Sequence, residues 1–169
     1  MKVLSAPISK KDIDELEVGD LIEVHGYIYA GRDSVLPKLV RLGHDNRLGD
    51  LNISLEGGVV FHSAVSIAGV GPTSSNKLEI ESNMVPLSKM GVRLHIGKGA
   101  IGDDTIRGLA DHHAVFAIIP PVSALLTSLV VEKEIVAFPE EGMEALFRLK
   151  VHGFTAIVAA AKGKSIFQD

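Results

Sequence analysis

The sequence has no cysteine and no tryptophan among its 169 residues, and aromatic side chains make up only 5%. The first absence excludes disulfides and denies this chain the thiolates with which proteins hold iron–sulfur clusters. Scarce aromatics leave little to stack on bases. Positive charge is not in excess either: 17 Lys and Arg stand against 21 Asp and Glu, a formal net charge of −4. No basic stripe offers itself to a phosphate backbone, so nucleic acid is not an expected partner.

A long uninterrupted apolar run is also missing. The nearest approach, AVFAIIPPVSALLTSLVV from Ala114 to Val131, is uncharged and comes near the roughly 18-residue minimum of a spanning helix. Pro120 and Pro121 interrupt it, and tandem prolines in lipid would leave backbone acceptors unpaired. The stretch reads instead as a buried strand, a proline turn and a short helix capped by Ser123, with no membrane partner. The start, MKVLSAPISKKDIDELEVGD, turns charged within a few residues and lacks the apolar core of a signal peptide, so a cytoplasmic location is expected. With 46% hydrophobic and 22% charged residues, the composition is that of a chain folded throughout, a single domain over 1–169.

Periodicity supplies the elements. Ser9 is placed to cap a short helix, and LIEVHGYIYA after the Gly19-Asp20 break is rich in strand formers. Asp33 or Ser34 is expected to cap a helix presenting Leu36, Leu39 and Val40, with Pro37 near its start. GGVVFHSAVSIAGVG is β-like, and SNKLEIESNMVPLSKMG is helical or mixed. The strand VRLHIG, the turn GKG, the helix DDTIRGLADHH and the strand AVFAII form a βαβ unit, with Asp103 and Asp104 in the helix's first turn. The remainder reads as strands closing in a hairpin at Lys162-Gly163. The class is α/β.

Three glycine-bearing turns carry chemistry in their pattern. GVGPTSS, Gly69 to Ser75, imitates a dinucleotide fingerprint but lacks its third glycine, and Pro72 has no N–H for a phosphate. It is either a plain turn or an oxyanion cradle built from Thr73, Ser74 and Ser75, with Lys77 close behind. GVRLHIGKG imitates a phosphate loop, yet five residues separate Gly91 from Gly97 and Gly99 stands where a hydroxyl is required. Lys98 between its glycines is a solvated turn residue, an anion binder or a proton carrier. In GRD, Arg32 offers a guanidinium suited to a carboxylate, or an ordinary surface ion pair with Asp33. The seven histidines show no metal-ligand spacing and read as structural or surface, while Glu140, Glu141 and Glu144 read as a charge cluster at a helix start.

Taken in order, GRD, VVFH, GPTSS, GVRLHIGKG and PEEGMEALFRLKVHGFTAIV resemble the β-type subunit, or C-terminal domain, of class I fumarases and L-tartrate dehydratases. The resemblance runs from about VGDLIEV to the end. It implies a single-domain swivelling β/β/α fold and an α-type partner subunit that carries the iron–sulfur (4Fe–4S) cluster, this chain binding none. A hetero-oligomer acting on a small dicarboxylate is implied as well, hydrating fumarate to malate with L-tartrate dehydration as the alternative. By the same resemblance Arg32 binds a substrate carboxylate, Gly71 and Pro72 set the turn, and Thr73 and Lys98 form the proton-transfer pair. Ser74 stands at the family's second threonine and Lys77 at its arginine, both on the substrate-binding side; SVLPKL replaces the histidine stretch after Arg-Asp. A non-catalytic assembly or anion-binding module is the reading from a different class.

Overall fold

The structure, a computed structural model, describes residues 1–63, 65–66, 69–70, 77–119 and 129–167, with backbone alone for 65–66, 69–70 and 77–80. In chain order the elements are β1 (Lys2–Ser5), α1 (Lys10–Asp14), β2 (Leu21–Ala30), α2 (Leu36–His44), β3 (Val59–Phe61), β4 (Val65–Ser66) and β5 (Gly69–Val70). There follow α3 (Lys77–Lys89), β6 (Leu94–Gly97), α4 (Asp103–Asp111), β7 (Val115–Ile118), β8 (Val130–Ala137), β9 (Leu146–Ala161) and β10 (Lys164–Ser165). Single 3-10 turns occupy Leu48–Leu51 and Pro139–Glu144.

Strands β2, β3, β6 and β7 are parallel neighbours in that order, and β1 pairs in parallel with Ile22 to His25 of β2, on the same edge that takes β3 at Tyr29 and Ala30. The long β9 then runs antiparallel to both β2 and β7, so the pairings β2–β3–β6–β7–β9–β2 form a closed circuit. Period-two alternation explains why the circuit has two dressed faces. Val59, Phe61, Leu94, Ile96, Val115, Ala117, Phe154 and Val158 share one apolar cluster, with Phe61 edge-on to Phe154 at 5.3 Å between ring centroids. The alternate residues face the helices. Val60 packs with Leu36 and Leu39 of α2 and Leu87 of α3, and Phe116 packs with Met84 of α3 and Ile106 and Leu109 of α4.

Most expected elements are present. Ser9 caps α1 by accepting from the Asp12 N–H at 3.1 Å; LIEVHGYIYA is β2; β6, α4 and β7 form a parallel βαβ unit; and Lys162 (φ 54) and Gly163 (φ 79) turn the hairpin into β10. The class is α/β, as the pattern of elements predicts.

One expectation needs correction. The helix cap at α2 is Val35, without a side-chain bond, rather than Asp33 or Ser34. Ser34 instead donates to Glu144 Oε2 at 2.6 Å, and Asp33 lies 3.9 Å from Arg32 Nε. GGVVFHSAVSIAGVG is β-like as expected: its described residues hold β3, β4 and β5, the last two paired antiparallel with each other. The proline turn at Pro120-Pro121 and the Ser123 cap lie outside the described residues. Among the described residues no helix is long and apolar enough to cross a membrane.

Candidate functional site

In parallel strands the carboxyl ends gather at one edge, where the chain leaves the ladder and its backbone polar groups become available. Here Ala30, Phe61 and Ile96 are aligned across β2, β3 and β6. Arg32 follows β2 by two residues, His62 follows β3 by one, and Lys98 follows β6 by one. Three backbone bonds hold these exits together: Gly31 N–H to Phe61 O at 3.1 Å, His62 N–H to Ile96 O at 2.9 Å, and Ile119 N–H to Gly97 O at 3.3 Å. The sheet thus brings Arg32 and Lys98, far apart in sequence, to the same edge.

Their surroundings differ. Arg32 is half-buried, with Asp33 Oδ1 at 3.9 Å and Glu144 Oε1 at 3.7 Å. Glu144 belongs to the turn between β8 and β9, the cluster read from PEEGMEA. Its neighbours Glu140 and Glu141 pair with Lys38 of α2 at 3.6 and 2.7 Å. The acidic cluster is therefore engaged with the basic groups beside Arg32, and a ligand carboxylate at Arg32 competes with Glu144 for the guanidinium. Lys98 is exposed on the turn between Gly97 and Gly99, the latter at φ 80.

Lys77 is the first residue of α3. The C-terminus of α3 feeds β6 at the amino end of the sheet, so its N-terminus, the positive end of the helix dipole, is directed to the edge that carries Arg32 and Lys98. Further along α3, Glu81 Oε1 accepts from Gly102 N–H at 2.7 Å and ties the helix to the start of α4. Gly71, Pro72, Thr73 and Ser74 lie outside the described residues. No described group of three or more His, Cys, Asp or Glu is arranged to hold a metal ion.

Of the structural and surface readings of the histidines, the structural one holds at this edge, and the rings are also paired, which the spacing does not reveal. His62, 4% exposed, lies with Nε2 at 2.9 Å from His95 Nδ1; His95 Nε2 lies 2.8 Å from Ser88 Oγ of α3. Burial pushes the His62 pKa down to about 3, and burial together with the neighbouring His62 holds His95 well below the usual imidazole range. Both rings are neutral at ordinary pH. A cavity of about 440 Å³ lined by Tyr27, Glu132, Lys133, Glu134 and Arg148 lies elsewhere. Two of its charged walls already engage each other, Arg148 pairing with Glu134 and stacking over Tyr27.

The chain is 30% identical over 98% of its length to the "Putative fumarate hydratase class I" of Geobacillus stearothermophilus, but spans only 33% of that protein. It is 27% identical to the "Putative L(+)-tartrate dehydratase subunit beta" of Methanocaldococcus jannaschii, over 96% of this chain and 89% of the relative. Against the L(+)-tartrate dehydratase subunit beta of Escherichia coli the identity is 29%, covering 94% and 82% respectively. A family model described as Fumarase C-terminus matches residues 2–169, and the chain belongs to that family.

Proposed function

We propose that the chain is the β subunit of a two-component hydro-lyase that reversibly hydrates fumarate to malate. The family match over residues 2–169 carries this reading, and the convergence of Arg32 and Lys98 on one sheet edge supports it. The chain has no cysteine, and no described cluster of ligating side chains offers a metal site. The iron–sulfur cluster is therefore assigned to an α-type partner, where it would act as a Lewis acid toward the substrate's hydroxyl and carboxylate.

This chain's own contribution is to hold and protonate. The Arg32 guanidinium binds one substrate carboxylate through two parallel N–H donors, once Glu144 yields. The GPTSS turn, with Gly71 and Pro72 setting its shape and Ser74 and Lys77 adding donors, brings Thr73 to the carbon beside the one that bears the hydroxyl. Thr73 takes or returns the proton there, and the Lys98 ammonium stabilises the alkoxide that makes a hydroxyl basic enough. L-tartrate as the substrate is the second reading, favoured by the nearly full-length match to separate β subunits.

Co-expression with a cysteine-bearing α-type subunit under anaerobic conditions tests the proposal. A brown complex that hydrates fumarate, or dehydrates tartrate on the second reading, is the expected result, with this chain alone colourless and inactive. Hydratase activity in the isolated chain would overturn it, and an assembled complex inactive toward every dicarboxylate would favour the non-catalytic module.

A further inference from the structure

The hydrogen bonds through His62, His95 and Ser88 run in one direction. Ser88 has a single hydroxyl proton, and it points to Met84 O at 2.8 Å. Ser88 Oγ therefore accepts from His95, whose Nε2–H lies 2.8 Å away. A neutral imidazole protonated at Nε2 has a bare Nδ1, so His95 Nδ1 accepts from His62 Nε2–H at 2.9 Å. His62 Nδ1 is thereby left as a lone-pair acceptor. It is screened from solvent and has no hydrogen-bond partner among the described residues. The opposite direction would set Ser88 Oγ against Met84 O without a proton between them. It would also orphan a buried N–H, the rarer and costlier case.

The open atom diverges from the edge of the ring that binds His95, and His62 itself begins where β3 ends, between the strands that deliver Arg32 and Lys98. A neutral acceptor there recognises a donor and gives nothing to a carboxylate. Fumarate at neutral pH has no donor, whereas malate and tartrate each bring a hydroxyl. We propose that His62 is a substrate-contact residue whose Nδ1 accepts a hydrogen bond from the hydroxyl of a hydroxy-dicarboxylate. The inference rests on the hydro-lyase reading and deepens it: the contact favours the hydroxylated acid over an unhydroxylated diacid of equal charge and length. No proton is transferred. The bond orients the hydroxyl and completes a chain anchored on the α3 backbone.

Two substitutions separate this role from a structural one. In His62→Gln the side-chain amide can still donate toward His95 from near the Nε2 position, but no acceptor remains near Nδ1. In His62→Asn an amide oxygen can replace Nδ1 and the link to His95 is lost. In the assembled complex, the KM for malate (or tartrate, whichever is turned over) is compared with the inhibition constant of succinate. His62→Gln is expected to shift this ratio five- to tenfold against the hydroxy acid with little change in melting temperature. His62→Asn is expected to lower the melting temperature while keeping the ratio within twofold. A His62→Gln complex with the wild-type ratio overturns the proposal and leaves Nδ1 to a trapped water; a shift in His62→Asn equal to that in His62→Gln overturns it as well. If either variant fails to assemble, the His62 Nδ1 nitrogen resonance of the wild-type complex decides: it moves with malate and not with succinate, or the proposal fails. A wild-type complex without hydro-lyase activity, read first, overturns the parent reading and this inference with it.

Discussion

Lys98 owes its place to the turn that ends β6: the strand is buried through Gly97, and the lysine is the first exposed residue beyond it. If its ammonium stabilises the Thr73 alkoxide, Lys98→Ala should lower kcat by about two to four orders of magnitude while KM moves much less. Steady-state kinetics of the assembled complex checks this, and an unchanged kcat would reduce Lys98 to a turn residue. The place of Arg32 and Lys98 at strand ends was legible because each is a cation beside a glycine just after a β-rich run. The histidine chain was not. A lone histidine in VVFH or VRLHIG looks the same whether isolated or paired, since the pairing depends on β3 and β6 being neighbours in a register that sets Val60 beside His95. Nor does sequence show that Glu144 sits against Arg32, because that contact joins the exit of β2 to the entrance of β9.

Elements were read well where local chemistry decides and less well where tertiary contacts compete for the same side chain. Ser9 caps α1 because no other described residue claims its hydroxyl, while Ser34 loses the cap of α2 to a carboxylate 110 residues away. The helix α3 continues through Pro86 to Lys89, ending within a turn of it, so little of the helix is affected by the missing N–H. A glycine junction between elements illustrates the same competition. Gly57, at φ 74, donates to Gly91 O at 2.9 Å and accepts from Ile8 N–H at 2.7 Å; a Cβ there would sit 2.8 Å from Pro7 Cβ and 2.9 Å from the Ile8 backbone. Gly57→Ala should cost roughly 2–4 kcal/mol, a left-handed penalty plus an overpacked junction. Gly163→Ala, at φ 79 with open space around it, should cost only about 1 kcal/mol. Urea titration of both variants measures the difference, and equal losses would mean that backbone strain alone is at work.

At the scale of the molecule, the closed circuit of strands was the least legible feature. LFRLKVHGFTAIVAAA reads as strand, but no local signal says that one strand of 16 residues pairs with β2, β7, β8 and β10. That closure covers the inner face of β3 and β6 while α3 covers the outer one, where His95 reaches Ser88; His62 and His95 are thus buried neutral, and this gives folding a definite pH dependence. Their folded-state pKa values lie far below the unfolded value of 6.5, that of His62 at about 3. Between those limits the unfolded chain binds protons that the folded one refuses. Stability is therefore flat above pH 6.5 and falls as pH drops below it, by at most about 1.4 kcal/mol per pH unit for each histidine. Asp20, whose carboxyl is held below 3.8 by the hydrogen bond from Lys2, adds its loss only as pH falls below about 3.8. Urea midpoints taken from pH 7 to pH 4 should decline with this slope, and His62→Asn, whatever its starting stability, should remove about half of it. A slope unchanged by His62→Asn would mean that His62 charges freely in the folded protein, and the neutral acceptor on which substrate selection is argued would not exist below pH 6.5.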